Sequence, residues 1–235
     1  MTSEAPSAES QTPRSVIRST IGQKAVMALT GMVLLGYIVL HMLGNLKIFT
    51  GRAHFDAYAE ALRAVGGDLL GESWFLWIMR PVLLVAVLLH IWSATALTVR
   101  SSQARPVAYA GPVRRVQATY ASRTMRWGGV IILLFIVYHL LHMTTGTLHN
   151  DFEHGAVYDN SVAAFKQWWV SAAYIVAVGA LGMHLYHGLW SMFQTLGRNS
   201  PRWHGVLRRF AQAGAVAITV GFVAVPVGVM TGIVH

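Results

Sequence analysis

Eleven histidines in a chain of 235 residues are the groups best suited to chemistry. Seven of them, His41, His90, His139, His142, His149, His184 and His187, fall in or beside long apolar stretches. An ionisable group at that depth in a membrane is costly and normally functional. No Asp or Glu lies inside those stretches. Histidine without carboxylate suits a metal or a metal-bearing cofactor better than a proton pump or an ion-coupled transporter, both of which call for intramembrane acids. The chain has no cysteine, which excludes disulfides, covalently attached c-type haem and cysteine-held iron–sulfur clusters within it.

The elements that must position these histidines follow from composition. The chain is 54% apolar and 11% charged, too little charge to cover a water-soluble domain of this length. A hydrocarbon core of about 30 Å needs about 20 helical residues. Five stretches qualify, near residues 25–48, 74–99, 127–148, 164–195 and 207–234. The sequence therefore predicts an all-α membrane protein of five transmembrane helices, four of them forming the bundle around the histidines, with residues 22–235 as one membrane domain. Residues 1–21 read as a polar tail that lacks the apolar run of a signal peptide and ends in a short amphipathic piece at Val16 to Ile21. The fourth stretch is too long for a perpendicular span and is expected to tilt or to extend into water. Between the first two spans, HFDAYAEALRAV has helical periodicity and is expected to lie at the interface. The loop 100–122, with Pro106 and Pro112, reads as irregular.

The formal charge of +9 would suit nucleic-acid binding if it were gathered on one soluble face. It lies instead at the ends of the apolar stretches. Thirteen of the eighteen basic residues, among them Lys24, Arg100, Arg114, Arg126, Arg202 and Arg209, fall on the side of the N-terminus. The positive-inside rule then predicts a cytoplasmic N-terminus and an external C-terminus. A cytoplasmic partner docking on this basic face is a second use for it.

Orientation gives depth. At 1.5 Å per residue, His41 lies roughly 25 Å from the inner end of the first span, and His139 roughly 18 Å up the third, with His142 one turn higher. The second and fourth spans run inward, and His90 and His184 lie about 24 and 25 Å down them. This makes an outer set, His41 with His139 or His142, and an inner set, His90 with His184 or His187. Depth alone slightly prefers His142 to His139. Two pairs at two depths on four helices are what two stacked, six-coordinate haems require, and a four-helix core is a suitable cradle for them. Nearby glycines (Gly36, Gly44, Gly128, Gly129, Gly179 and Gly182) either let a porphyrin approach the backbone or pack helices together. The extra histidines, His142 and His187, would bond propionates or a quinone, or be structural. Arg80, one turn inside the outer edge of the second span, either snorkels or pairs with outer-haem propionates. His54, His149, His154 and His204 are expected to be solvated at the interfaces.

Three motifs carry a resemblance. Lys24 to Phe49, KAVMALTGMVLLGYIVLHMLGNLKIF, resembles the first helix of the cytochrome b subunit of succinate dehydrogenase and fumarate reductase, in its single-subunit, five-helix, dihaem form. FIVYHLLHMTTG resembles the third-helix haem motif of that family, and HLYHGLWSMF, from His184 to Phe193, the fourth-helix motif with its ligand four residues before the glycine of GLWS. The resemblance extends from about Gln23 to Val234, and the MALTG and HMLGNL pieces are its most specific part.

The resemblance implies that His41 and His139 hold an outer b haem and that His90 and His184 hold an inner one. It implies flavoprotein and iron–sulfur partners on the cytoplasmic face of a bacterial inner membrane. Electrons from succinate would pass through both haems to a membrane quinone, menaquinone by family type, with no succinate site in this chain and with the complex open to homo-oligomerisation. Rival expectations are the dihaem subunit of a hydrogenase or formate dehydrogenase, and a haem-free anchor or transporter whose histidines join helices by hydrogen bonds.

Overall fold

The computed structural model describes residues 16–67, 71–104, 120–195, 197 and 200–235. The predicted tail up to residue 15 and residues 105–119 of the predicted irregular loop lie outside the described residues. After a 3-10 turn at Val16–Arg18, helix α1 runs Thr20–Leu46 and continues as a 3-10 turn over Lys47–Thr50. It begins where the Ser19 hydroxyl accepts the Gly22 N–H at 3.0 Å, an ordinary N-cap. Gly51, at φ +93°, turns the chain into α2, Arg52–Ala64, the helix that the periodicity predicts. The remaining helices are α3 (Trp74–Gln103), α4 (Tyr120–His139, running into a π turn at Leu140–Thr144), α5 (Val157–Lys166), α6 (Trp168–Thr195) and α7 (Pro201–Met230). Among the described residues there is no strand. Among the described residues five helices are long and apolar enough to cross a membrane: α1, α3, α4, α6 and α7. The chain is a multi-pass, all-α membrane protein.

Two boundaries differ from expectation. The fourth stretch, 164–195, contains a break: its first three residues end α5, and the span itself is α6, 28 residues long. Gln167 adopts an extended conformation (φ −79°, ψ 110°) and separates α5 from α6. The backbone freed by the break is satisfied locally: Gln167 N–H donates to the Ala164 carbonyl at 3.2 Å, and the fully buried Ser171 hydroxyl donates to the Phe165 carbonyl at 2.7 Å. The last helix starts at Pro201 rather than near 207, because proline fits a first helical turn, where its missing N–H has no partner to lose.

Helices α1, α6 and α7 pack against one another, with α3 against α1 and α4 against α6. Among the described residues α1 is not packed along α4, nor α3 along α6. Apolar attraction between helices is weak in lipid, so close approach depends on small residues. Gly182 on α6 lies against Thr219 on α7, and Gly221 on α7 against Met42 on α1. The Thr219 hydroxyl donates to its own helix at Ala215, 2.8 Å away, so the interface buries no open polar group there. Leu40, Trp77, Leu134, Val176 and Val220 are each more than 60% exposed, as suits side chains that face lipid.

At the end away from the N-terminus, α2 and α5 form a cap. Phe55 and Tyr158 are buried edge to face, 6.4 Å between ring centroids. Asp56 accepts the Tyr158 N–H at 3.0 Å, and the Tyr158 hydroxyl donates to the carbonyl of His235 at 3.1 Å. Arg52 also pairs with Asp159, but both side chains are well exposed and the pair contributes about 1 kcal/mol or less. The apolar contacts of Ile48, Phe55, Val162, Phe165 and Val229 hold the cap.

Candidate functional site

Helices that do not pack together bring their histidines together. His41 of α1 and His139, the last residue of α4, have ring centroids 5.8 Å apart with planes at 78°. His90 of α3 and His184 of α6 are 6.2 Å apart at 58°. The first pair lies toward the capped end and the second toward the end that carries the N-terminus. His142 and His187, the alternatives that depth leaves open, stand outside both pairings. His187 is half-buried one turn beyond His184. His142 is buried between the rings of Tyr138 (5.2 Å, 14°) and His149 (5.1 Å, 28°).

Hydroxyl groups orient two of the paired rings. Thr30 Oγ1 lies 2.7 Å from the Val26 carbonyl and 3.2 Å from both the Met27 carbonyl and His90 Nδ1; with its proton on the nearest of these, Val26, it accepts from His90. That makes Nδ1 the protonated nitrogen of His90 and leaves Nε2 with its lone pair free. Tyr174 of α6 places its hydroxyl 3.2 Å from Nδ1 of His139 and 3.1 Å from Nδ1 of His142. His41 is stacked on Tyr37 (5.4 Å), and its hydrogen-bond contact among the described residues is with Asn45, Nδ2 to Nε2 at 3.5 Å, a weak one. Nδ1 of His184 is buried with no partner among the described residues. Gln23 Oε1 and Trp74 Nε1 are buried in the same way; such atoms are rare in proteins.

The surroundings divide the glycines. Gly31 and Gly129 face the rings of His90 and His184, where an added Cβ would sit 3.5 and 3.9 Å from the imidazole. Gly44 lies against Tyr58 and Gly182 against Thr219, so these two pack helices. Gly36, Gly128 and Gly179 border open space. Arg80 is exposed, and its guanidinium sits over the exposed Trp77 ring at 4.4 Å. His149 departs from expectation: it is buried, its Nε2–H donating to the Asn160 carbonyl at 3.0 Å while Nδ1 accepts the Asp151 N–H at 3.3 Å. Its burial comes from the cap, which no count of span depth includes. His54, His154 and His204 are exposed as expected, with His204 against the Trp190 ring.

These residues fit a haem between each pair. With metal–imidazole bonds of about 2 Å, two axial imidazoles on one metal hold their ring centroids roughly 6 Å apart, close to both observed spacings. The donors are neutral nitrogens with no thiolate or carboxylate beside them. Among the described residues no three metal-ligating side chains converge, which is unlike a structural zinc site with its four ligands. Each pair spans two helices whose backbones stand apart, as a flat group inserted edgewise between them requires. Of these features, sequence reasoning missed Thr30, Tyr174 and the burial of His149. Only the LTG piece around Thr30 carried a local signal.

A family model described as the succinate dehydrogenase/fumarate reductase transmembrane subunit matches residues 102–224, just over half of the chain. The matched segment contains His139 and His184 and ends before the last turns of α7. No curated protein and no solved structure matches the chain.

Proposed function

Because the chain belongs to the succinate dehydrogenase/fumarate reductase transmembrane subunit family, we propose that it is the dihaem cytochrome b anchor of a succinate:quinone oxidoreductase. One observation carries this reading: two imidazole pairs at two depths, each joining helices that do not otherwise pack and each spaced for one metal between them. His41 and His139 would hold one b haem, and His90 and His184 the other. A haem with imidazole on both faces has no open position, so it supplies single-electron transfer rather than oxygen chemistry. The chain holds its ligands apart on separate helices and places the Thr30 hydroxyl against Nδ1 of His90.

The flavoprotein and iron–sulfur partners of the family would dock on the basic N-terminal face, in the cytoplasm of a bacterium. Electrons from succinate would pass from the inner pair to the outer pair and on to a quinone, menaquinone by family type. The complex would then serve the tricarboxylic acid cycle and the respiratory chain. The direct test is haem quantitation and a dithionite-reduced minus oxidised spectrum of the purified complex. Two low-spin b haems per chain are expected. Replacing His41 or His139 by alanine should remove one, and replacing His90 or His184 the other. A complex without haem would leave only the anchoring role.

A further inference from the structure

Tyr174 has one hydroxyl proton and two imidazole nitrogens within reach, Nδ1 of His139 at 3.2 Å and Nδ1 of His142 at 3.1 Å. It cannot donate to both. The two histidines are also unequal. His139 faces His41 across the bundle, whereas His142 is stacked between Tyr138 and His149 and faces no pairing partner. The π turn begins immediately after His139 and includes His142, with the Thr145 N–H reaching back to the Leu140 carbonyl at 3.0 Å. Such a turn inside an α-helix commonly marks a functional position. The phenol ring itself is held rigidly, with Phe135 and Phe165 edge-on at 4.9 and 5.0 Å.

We propose that Tyr174 is the positioning residue of the outer centre: its oxygen accepts the Nδ1–H of His139 and its proton goes to Nδ1 of His142. This rests on the haem reading above, since a metal at Nε2 of His139 requires the proton on Nδ1. One phenol then sets the tautomers of both histidines in opposite senses. It makes His139 the ligand, with Nε2 unprotonated, and it makes His142 a neutral acceptor with its proton on Nε2. The bond to His142 in turn makes the phenol oxygen a better acceptor toward His139, because hydrogen bonds in a chain polarise one another. An acceptor on the far nitrogen raises the donor strength of a metal-bound imidazole, which favours the ferric state and lowers the potential.

The test uses the purified complex and a spectroelectrochemical titration, with His139→Ala identifying which haem is the outer one. Tyr174→Phe keeps the ring and its packing and removes only the hydroxyl. It should keep both haems and raise the outer potential, by up to a tenfold change in the ferric/ferrous ratio, about 59 mV for one electron. The inner potential should stay where it was. Two haems with both potentials unmoved, or a shift of the inner haem alone, would overturn the proposal. Should Tyr174→Phe fail to assemble, His142→Phe decides the matter, because it leaves the phenol beside His139. That variant should keep both haems and raise the same potential by less. Loss of the outer haem in it would make His142 the ligand and overturn the assignment. Absence of haem from the unsubstituted complex would instead sink the reading on which this inference stands.

Discussion

Thr30 is the counterpart of Tyr174 at the other pair. It accepts from His90 while its proton is spent on Val26. Thr30→Val keeps the branched shape and removes the acceptor, so it should raise the potential of the inner haem and leave the outer one alone; equal movement of both would argue for general disturbance of the bundle. Arg80→Gln is expected to leave haem content and both potentials unchanged, since the guanidinium lies over an outward-facing tryptophan. A shift of the outer potential in that variant would show that Arg80 reaches propionates after all. The pairing of histidines was legible from depth because helical rise is fixed and the spans are easily found. The choice between His139 and His142 was not, because they differ by one turn and by the rotation of the helix. Tyr174 was invisible in the same way: a tyrosine 35 residues from its partner gains meaning only once α6 is rotated against α4.

The five spans could be read because lipid demands long apolar runs. What could not be read was the break at Gln167, since no glycine or proline marks it and the polar pair Lys166–Gln167 was its local signal. At the break a buried hydroxyl, that of Ser171, satisfies the Phe165 carbonyl. Ser171→Ala should leave that carbonyl unpaired and cost about 1–3 kcal/mol, seen as a lower Tm of the purified complex; an unchanged Tm would mean that the turn holds without it. Close packing of α6 on α7 depends on Gly182, where an added side chain meets the stiff, branched Thr219. Gly182→Val is expected to cost about 1–3 kcal/mol in the same measurement. Gly221→Ala should cost less, because the atom it meets is the flexible end of Met42.

At the scale of the whole molecule, charge distribution gives an orientation that can be measured without background, because the chain has no cysteine. Glu60→Cys, on α2, should react with a membrane-impermeant thiol reagent added outside intact cells. Arg202→Cys, at the start of α7, should react only after the membrane is opened. The reverse pattern would invert the topology and place the partner subunits on the other face. The packing order has a consequence for biogenesis. Its end helices, α3 and α4, carry His90 and His139, and each of these reaches across to a helix that its own does not pack against. A group bound between the imidazoles would therefore tie each of these end helices to a second neighbour. Cells starved of haem precursor should then accumulate less of this chain at equal transcript level, because an untied bundle is a better substrate for membrane proteases. Iron supply would set the abundance of the whole respiratory complex through the mechanical completeness of its anchor.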